Sequence, residues 1–319
     1  MAADDRQGGH TSLANAALGG RDKVLVLQQR NVGERVRRAL YALAAEFTTI
    51  AAWSCIDLRD LDTAQRYPHE SATFAGLSQE PPTGIRVWIN IAMLAYQRQN
   101  WPEQLAAAQA AIASQVARRG PFFSSIGRVR LALAHSSLGA PQAAKRALGA
   151  AQETLRKATD EERPRWTAFY GPAELNHLAT IILNGNGQSA EAEAMAHRAL
   201  AKIPEVFQRI DRALATCQLA LAQLRQGEPE QATNCAATVF TIMDGAPLPG
   251  RMRTLIGFHR DLLRLAPSTT RGRWRSCRLV RPGSRAADGR TCSNSKKNRR
   301  SHGRRRMTAG TPLWWYLVL

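Results

Sequence analysis

Residues 100–113 read NWPEQLAAAQAAIA: a short turn at small or polar residues, then an alanine-rich helix. The same device recurs as LRDLDTAQRYPHESATFA (58–75), GAPQAAKRALGAAQ (139–152), GQSAEAEAMAHRALAKIP (187–204) and GEPEQATNCAATVF (227–240). Aligned on the turn, one early position of the second helix falls at Ala64, Gln104, Ala144, Ala192 and Ala232, at spacings of 40, 40, 48 and 40. A fixed period of this size is the signature of stacked helical hairpins, because one hairpin alone cannot bury its apolar face.

The surrounding chain agrees. From about residue 34 to 266 it is rich in Ala, Leu, Gln, Glu and Arg, with apolar residues at helical spacing and no strand-like alternation. The pattern predicts an all-α, right-handed solenoid (an α-α superhelix) of five hairpins centred near residues 60, 100, 140, 188 and 228. A helix near residues 12–30 precedes it and a helix over 251–266 closes it. The domain so defined is 12–267, after a flexible N-terminus of residues 1–11. Two irregularities are expected. Pro68 falls inside the second helix of the first repeat, where its missing N–H and ring predict a kink or break. The fourth spacing gains ERPRWTAFYGP (162–172), whose prolines and glycine predict a loop and whose Trp166, Phe169 and Tyr170 either staple it onto the array or make it a ligand-contacting flap.

The residues carry a family resemblance. Trp88, Ile91, Ala92 and Ala95, followed by Trp101, Gln104, Ala108 and Ala111, resemble a tetratricopeptide (TPR) repeat, and Gly187, Ala192, Ala196, Ala199 and Pro204 resemble another copy. Gln104 stands where the family has a small residue, and the 40-residue period exceeds the family's usual 34. AAEFTTIAAWSCIDLRDLDTAQRY, RVWINIAMLAYQR, WTAFYGPAEL and GAPLPGRMRTLIGFHRDLLRLAP are similar to the C-terminal sensor half of bacterial XRE-type (lambda-repressor-like) transcriptional regulators. In those proteins a helix-turn-helix domain precedes the array. No residues here match that motif, so the resemblance implies a sensor half without sequence-specific DNA binding of its own.

The 52 residues from Ser268 to Leu319 differ in kind. They hold 12 Arg and 2 Lys against one acid, Asp288, and so carry +13 of the chain's formal +19. Helical periodicity stops near Pro267, predicting a disordered, low-complexity tail. A functional basic arm, a divergent linker and a gene read in a shifted frame all fit; the shifted frame accounts for the abrupt switch, the Arg-Gly-Ser-Cys-Trp mixture and the ending LWWYLVL together. Whatever its origin, such charge binds polyanions without reading sequence, and releases them as salt rises. No apolar run approaches the roughly 20 residues that span a bilayer, and the first residues lack the basic and apolar regions of a signal peptide. The reading is therefore cytoplasmic, without membrane contact.

Catalytic chemistry finds little support. The five cysteines at 55, 217, 235, 277 and 292 have no Cys-x-x-Cys spacing, so buried free thiols are expected and no metal. GNGQSAEA (185–192) lacks the Gly-Lys-Ser/Thr of a phosphate loop. His177 and His197 have no paired carboxylate or cysteine motif in the sequence, and Glu161 and Glu162 sit in a charged connection. No enzyme and no cofactor are expected. What remains is recognition of a protein, a peptide or a small signalling ligand. In TPR arrays the first helix of each hairpin lines the concave face. Threading its exposed positions gives Trp53, Arg86, Asn90, Tyr96, Arg130, His177 and Asn184, with the arginines and Asn90 as grips for a carboxylate or peptide backbone. The alternatives are a stand-alone TPR adaptor that scaffolds proteins and, last, nucleic-acid binding through the tail.

Overall fold

A computed structural model describes residues 10–158, 163–203, 208–243 and 253–265. The expectations for the flexible N-terminus (apart from residues 10 and 11) and for the basic tail lie outside the described residues. Within them all regular structure is helical. In order the helices are α1 (His10–Gln28), α2 (Glu34–Asp57), α3 (Leu61–Ala64), α4 (Tyr67–Ser78), α5 (Pro81–Arg98), α6 (Trp101–Ala113) and α7 (Gln115–Arg119). Then come α8 (Pro121–Ser137), α9 (Pro141–Arg156), α10 (Pro172–Gly185), α11 (Ser189–Leu200), α12 (Gln208–Arg225), α13 (Pro229–Met243) and α14 (Arg253–Leu265).

The period written in the sequence is the period of the backbone. Left-handed residues stand at Arg59, Gln99, Gly139, Gly187 and Gly227, again 40, 40, 48 and 40 apart. After each of them one amide reaches back five residues: Asp60 to Cys55, Asn100 to Ala95, Ala140 to His135, Gln188 to Leu183 and Glu228 to Gln223, at 2.9–3.1 Å. This bond closes the last turn of a helix when the residue just before the donor is left-handed. Glycine serves at three of the five turns because it has no Cβ to clash there. Many of the helices start on pre-set backbone, with proline in the first turn of α4, α5, α6, α8, α9 and α10. At α6 the cap is reciprocal: the Asn100 side chain accepts from the Glu103 amide at 3.4 Å and donates to its carboxylate at 2.7 Å.

The hairpins follow from these turns. α2 packs with α4, α5 with α6, α8 with α9, α10 with α11 and α12 with α13, and the first helices α2, α5, α8, α10, α12 and α14 each touch the next. The equivalent positions Ala64, Gln104, Ala144, Ala192 and Ala232 are all 0–1 % exposed. Small side chains there let the helix axes approach, and Gln104 is the one that must bury a polar end. Pro68 breaks its helix as expected: α3 stops at Ala64, and Pro68 sits in the first turn of α4, where its missing N–H costs no bond.

α2 is long and apolar enough to cross a membrane by length and composition, with mean hydropathy 1.4; in the structure it is a core helix between α1, α4 and α5. One expectation needs correction: the first-helix face is not open throughout. Trp53 and Ile56 of α2, with Met93 and Leu94 of α5, lie in one buried apolar cluster with Ala213, Leu214 and Cys217 of α12, Val239 and Met243 of α13 and Leu255 of α14. The late hairpins therefore return to the first two.

Candidate functional site

Polar side chains lace the successive first helices. Arg86 of α5 pairs with Glu46 of α2, Nη1 to Oε1, at 2.9 Å. The Asn184 amide of α10 donates to the carbonyl and side-chain oxygen of Gln218 on α12, both at 3.1 Å. Gln218 donates onward to Thr254 of α14 at 2.9 Å. Arg225 of α12 donates to the Asn184 carbonyl at 2.5 Å and lies 3.7 Å from Asp261. Asn184, one of the expected concave-face residues, is thus a buried strut between hairpins.

The other expected residues are distributed unevenly. Trp53 is part of the closing apolar cluster, and Tyr96 is half-buried with its ring centroid 6.1 Å from that of Trp101. His177 is half-buried on α10. Asn90 turns its amide onto the Arg86 carbonyl at 2.8 Å, one turn back. Arg130 of α8 is 2 % exposed. Burial pushes its guanidinium down from the ordinary value, with the charge of Glu174 on α10 working against that. Trp53, Arg86, Arg130 and Asn184 were threaded as exposed; all four are buried, because each first helix packs on the next rather than facing solvent along its whole length. His197, read without a partner, lies 3.8 Å from Glu193 at the surface.

Arg86 is the exception that borders open space. A cleft of about 490 Å³ lies between α2, the start of α5 and the segment that carries the extra residues. Leu43 and Glu46 come from α2, Pro82 and Arg86 from α5, Glu80 from the turn before it, and Trp166 from that segment. The segment is stapled as its aromatics predict. Tyr170 stacks edge-on against Phe122 of α8 at 5.7 Å and shares a 2.7 Å hydrogen bond with Ser125. Phe123 holds Trp166 at 6.2 Å. So fixed, the Trp166 ring stands 5.5 Å from the Arg86 guanidinium carbon, within cation–π range. The stapled segment also forms one wall of the cleft.

Arg86 is held in an unusual state for so polar a group. It is 3 % exposed, and burial pushes its guanidinium down from the ordinary value, opposed by the Glu46 charge. Nη1 faces Glu46, while Nε and Nη2 have no partner in the protein. Those two N–H groups form one edge of the guanidinium plane, the edge that matches a carboxylate in a bidentate pair. Glu46 and Trp166 were absent from the expected site. Glu46 was findable, since it precedes Arg86 by 40 residues, one full period, and so occupies the equivalent position on the neighbouring first helix. Trp166 comes from an insertion and no repeat pattern points to it.

A second, apolar cavity of about 340 Å³ opens beside the Pro68 break, between α4 and α6 over Trp88. Trp88 matches the TPR pattern yet is 37 % exposed there. Among the described residues no group of three His, Cys, Asp or Glu side chains could hold a metal ion. Compared with known proteins, the chain matches no family model and no curated sequence.

Proposed function

We propose that the chain is a non-enzymatic binding module: a TPR-like superhelix that takes a peptide, a protein segment or a small signalling ligand and acts as the sensor half of an XRE-type transcriptional regulator. DNA reading belongs, on this proposal, to another domain or protein, and the site of action is the cytoplasm. One observation carries the proposal. Arg86 keeps a buried, unpartnered donor edge, at a desolvation cost, and the same residue lines a cavity whose size suits a small organic ligand. The five equivalent turns support the TPR-like reading, since identical closures at one period are what a stacked array requires.

The test is a thermal-shift screen of the full chain at neutral pH against a metabolite and peptide library, alongside affinity capture of protein partners. A ligand at a hundred times its Kd stabilises the folded state by about 2.7 kcal/mol, which for a domain of this size raises Tm by roughly 5–10 °C. Shifts of that size with small ligands or peptides support the sensor reading. Capture of proteins with no small-ligand shift favours the adaptor instead. If neither is seen, the proposal of a binding module is wrong.

A further inference from the structure

We propose that the cleft between α2, the start of α5 and the Trp166 segment takes a short zwitterionic ligand, a free amino acid or a di- or tripeptide, with its carboxylate on the Nε/Nη2 edge of Arg86 and its ammonium toward Glu46 and Glu80. The inference rests on the binding-module reading and adds to it the chemistry of the occupant.

The charges of the lining exclude simpler ligands. Glu46, Glu80 and Arg86 are the ionic groups of the cleft, one cation against two carboxylates. A simple anion would find a donor edge but a net negative surrounding. A simple cation would find carboxylates and leave the Arg86 edge bare. A neutral apolar molecule would bury both without satisfying either, at a cost of about 1–3 kcal/mol for each polar group stranded. A zwitterion meets all of these demands at once. Its two charges would stand on groups that the protein already holds together, since Glu46 lies 2.9 Å from Arg86 and fixes the guanidinium by its far side. Leu43, Pro82 and Trp166 supply apolar wall for the body of the ligand. The donor edge is buried close to the Trp166 ring, 5.5 Å from the guanidinium carbon. That edge is closed to solvent, so a carboxylate must shift the side chains over it to reach it, and because Trp166 lines the same cleft, occupancy should change the environment of one tryptophan.

The experiment uses the full chain, titrated calorimetrically at pH 7 with each of the twenty free amino acids and with a set of unblocked dipeptides. The best binder is then repeated as its N-acetyl and its C-terminal amide derivative. Binding by a free amino acid and binding only by a dipeptide distinguish the two sources of the zwitterion; either supports the proposal if both blocked forms bind at least tenfold more weakly. Arg86→Lys keeps the charge but removes the planar fork, and Glu46→Gln removes the ammonium partner. Each is expected to weaken binding at least tenfold while the melting transition stays cooperative. The difference in Trp fluorescence on binding should vanish in Trp166→Phe. The proposal is overturned if no free amino acid or dipeptide binds to the cooperatively folded chain. It is equally overturned if an acetylated or amidated form binds as well as its parent, or if R86K binds unchanged. Protein capture or another library ligand unaffected by R86K would leave the binding-module reading standing while this inference fails.

Discussion

Alanine in place of glycine should move stability in opposite directions at two helix-interior positions of the same hairpin. Gly149 lies on the exposed side of α9, and a Cβ built there meets nothing within 4 Å. The substitution removes backbone freedom from the unfolded chain without touching the folded one, so Gly149→Ala should stabilise by about 0.5–1 kcal/mol. Gly127 is buried in α8, where a Cβ would stand 2.9 Å from Ile112 Cγ1 and 3.3 Å from the Ile112 backbone nitrogen in α6. Ordinary carbon contacts lie near 3.5–4.0 Å, and a backbone nitrogen cannot swing aside. α6 and α8 must separate instead, an overpacking cost of about 1–3 kcal/mol. The propensity gain is common to both substitutions, so it cancels between them. Gly127→Ala should therefore be less stable than Gly149→Ala by about 1–3 kcal/mol. Urea unfolding followed by circular dichroism at 222 nm measures this directly, provided the two variants share a slope. Equal midpoints would refute the close approach of α6 and α8, and with it the reason for a glycine in the core of that hairpin.

The left-handed turns offer a related test: Gln99→Gly should raise stability by about 0.5–1 kcal/mol, whereas Gly187→Ala, with open space around the new Cβ, should cost about 1 kcal/mol through backbone strain alone, both read from urea midpoints. Arg86→Met strands the Glu46 carboxylate, which keeps a fifth of its side-chain surface exposed; the expected loss is about 2–3 kcal/mol, softened by that exposure, and Glu46→Leu with Arg86→Met should recover most of it in a double-mutant cycle. Burial pushes the thiols of Cys55, Cys217 and Cys235 up, Cys235 to about 11. In a C277S/C292S background they should react with Ellman's reagent far more slowly than in urea at pH 8. Because their folded values lie above the unfolded one near 8.5, the stability they contribute is complete below that pH and is lost as pH climbs toward 11; a stability profile that is flat across this window would count against their burial.

The periodic part of the fold was legible because turn chemistry repeats as strictly as the helices do. Gly139, Gly187 and Gly227 mark their turns outright, and alignment on the turns placed Ala64, Gln104, Ala144, Ala192 and Ala232 in register; that Arg59 and Gln99 reach the same left-handed geometry without glycine's help came only from the structure. Pro68 was equally readable, since no neighbour can restore the N–H it lacks. The direction in which each first-helix residue points was not readable to the same degree. Threading on the family pattern treated Trp53, Arg86, Arg130 and Asn184 as exposed. Helix-to-helix approach depends on the size of side chains from two repeats at once, and the pattern of one repeat carries only half of that information. The pairing of Glu46 with Arg86 shows where the missing half lay: two residues one period apart, of opposite charge, on adjacent first helices.

Closure of the array decides which part of the first-helix face is left for a ligand. Glu46 and Trp53 share α2, about two turns apart, yet they meet different surroundings. Trp53 is buried within an apolar cluster that also takes in residues of α5, α12, α13 and α14, a grouping that spans more than 150 positions in sequence and that no local period encodes. Glu46 lies toward the other end, where the wall is supplied by Trp166 and the open side by the cleft. The insertion before α10 thus does in one place what the returning hairpins do in the other: it covers exposed helix surface with aromatic rings. The difference is that Trp53 is covered by apolar side chains that match it, whereas Trp166 covers an arginine whose donor edge no protein group takes. Burial that matches stabilises the fold, and burial that leaves a donor unmatched costs stability, so the first belongs to the architecture and the second is where recognition is to be sought.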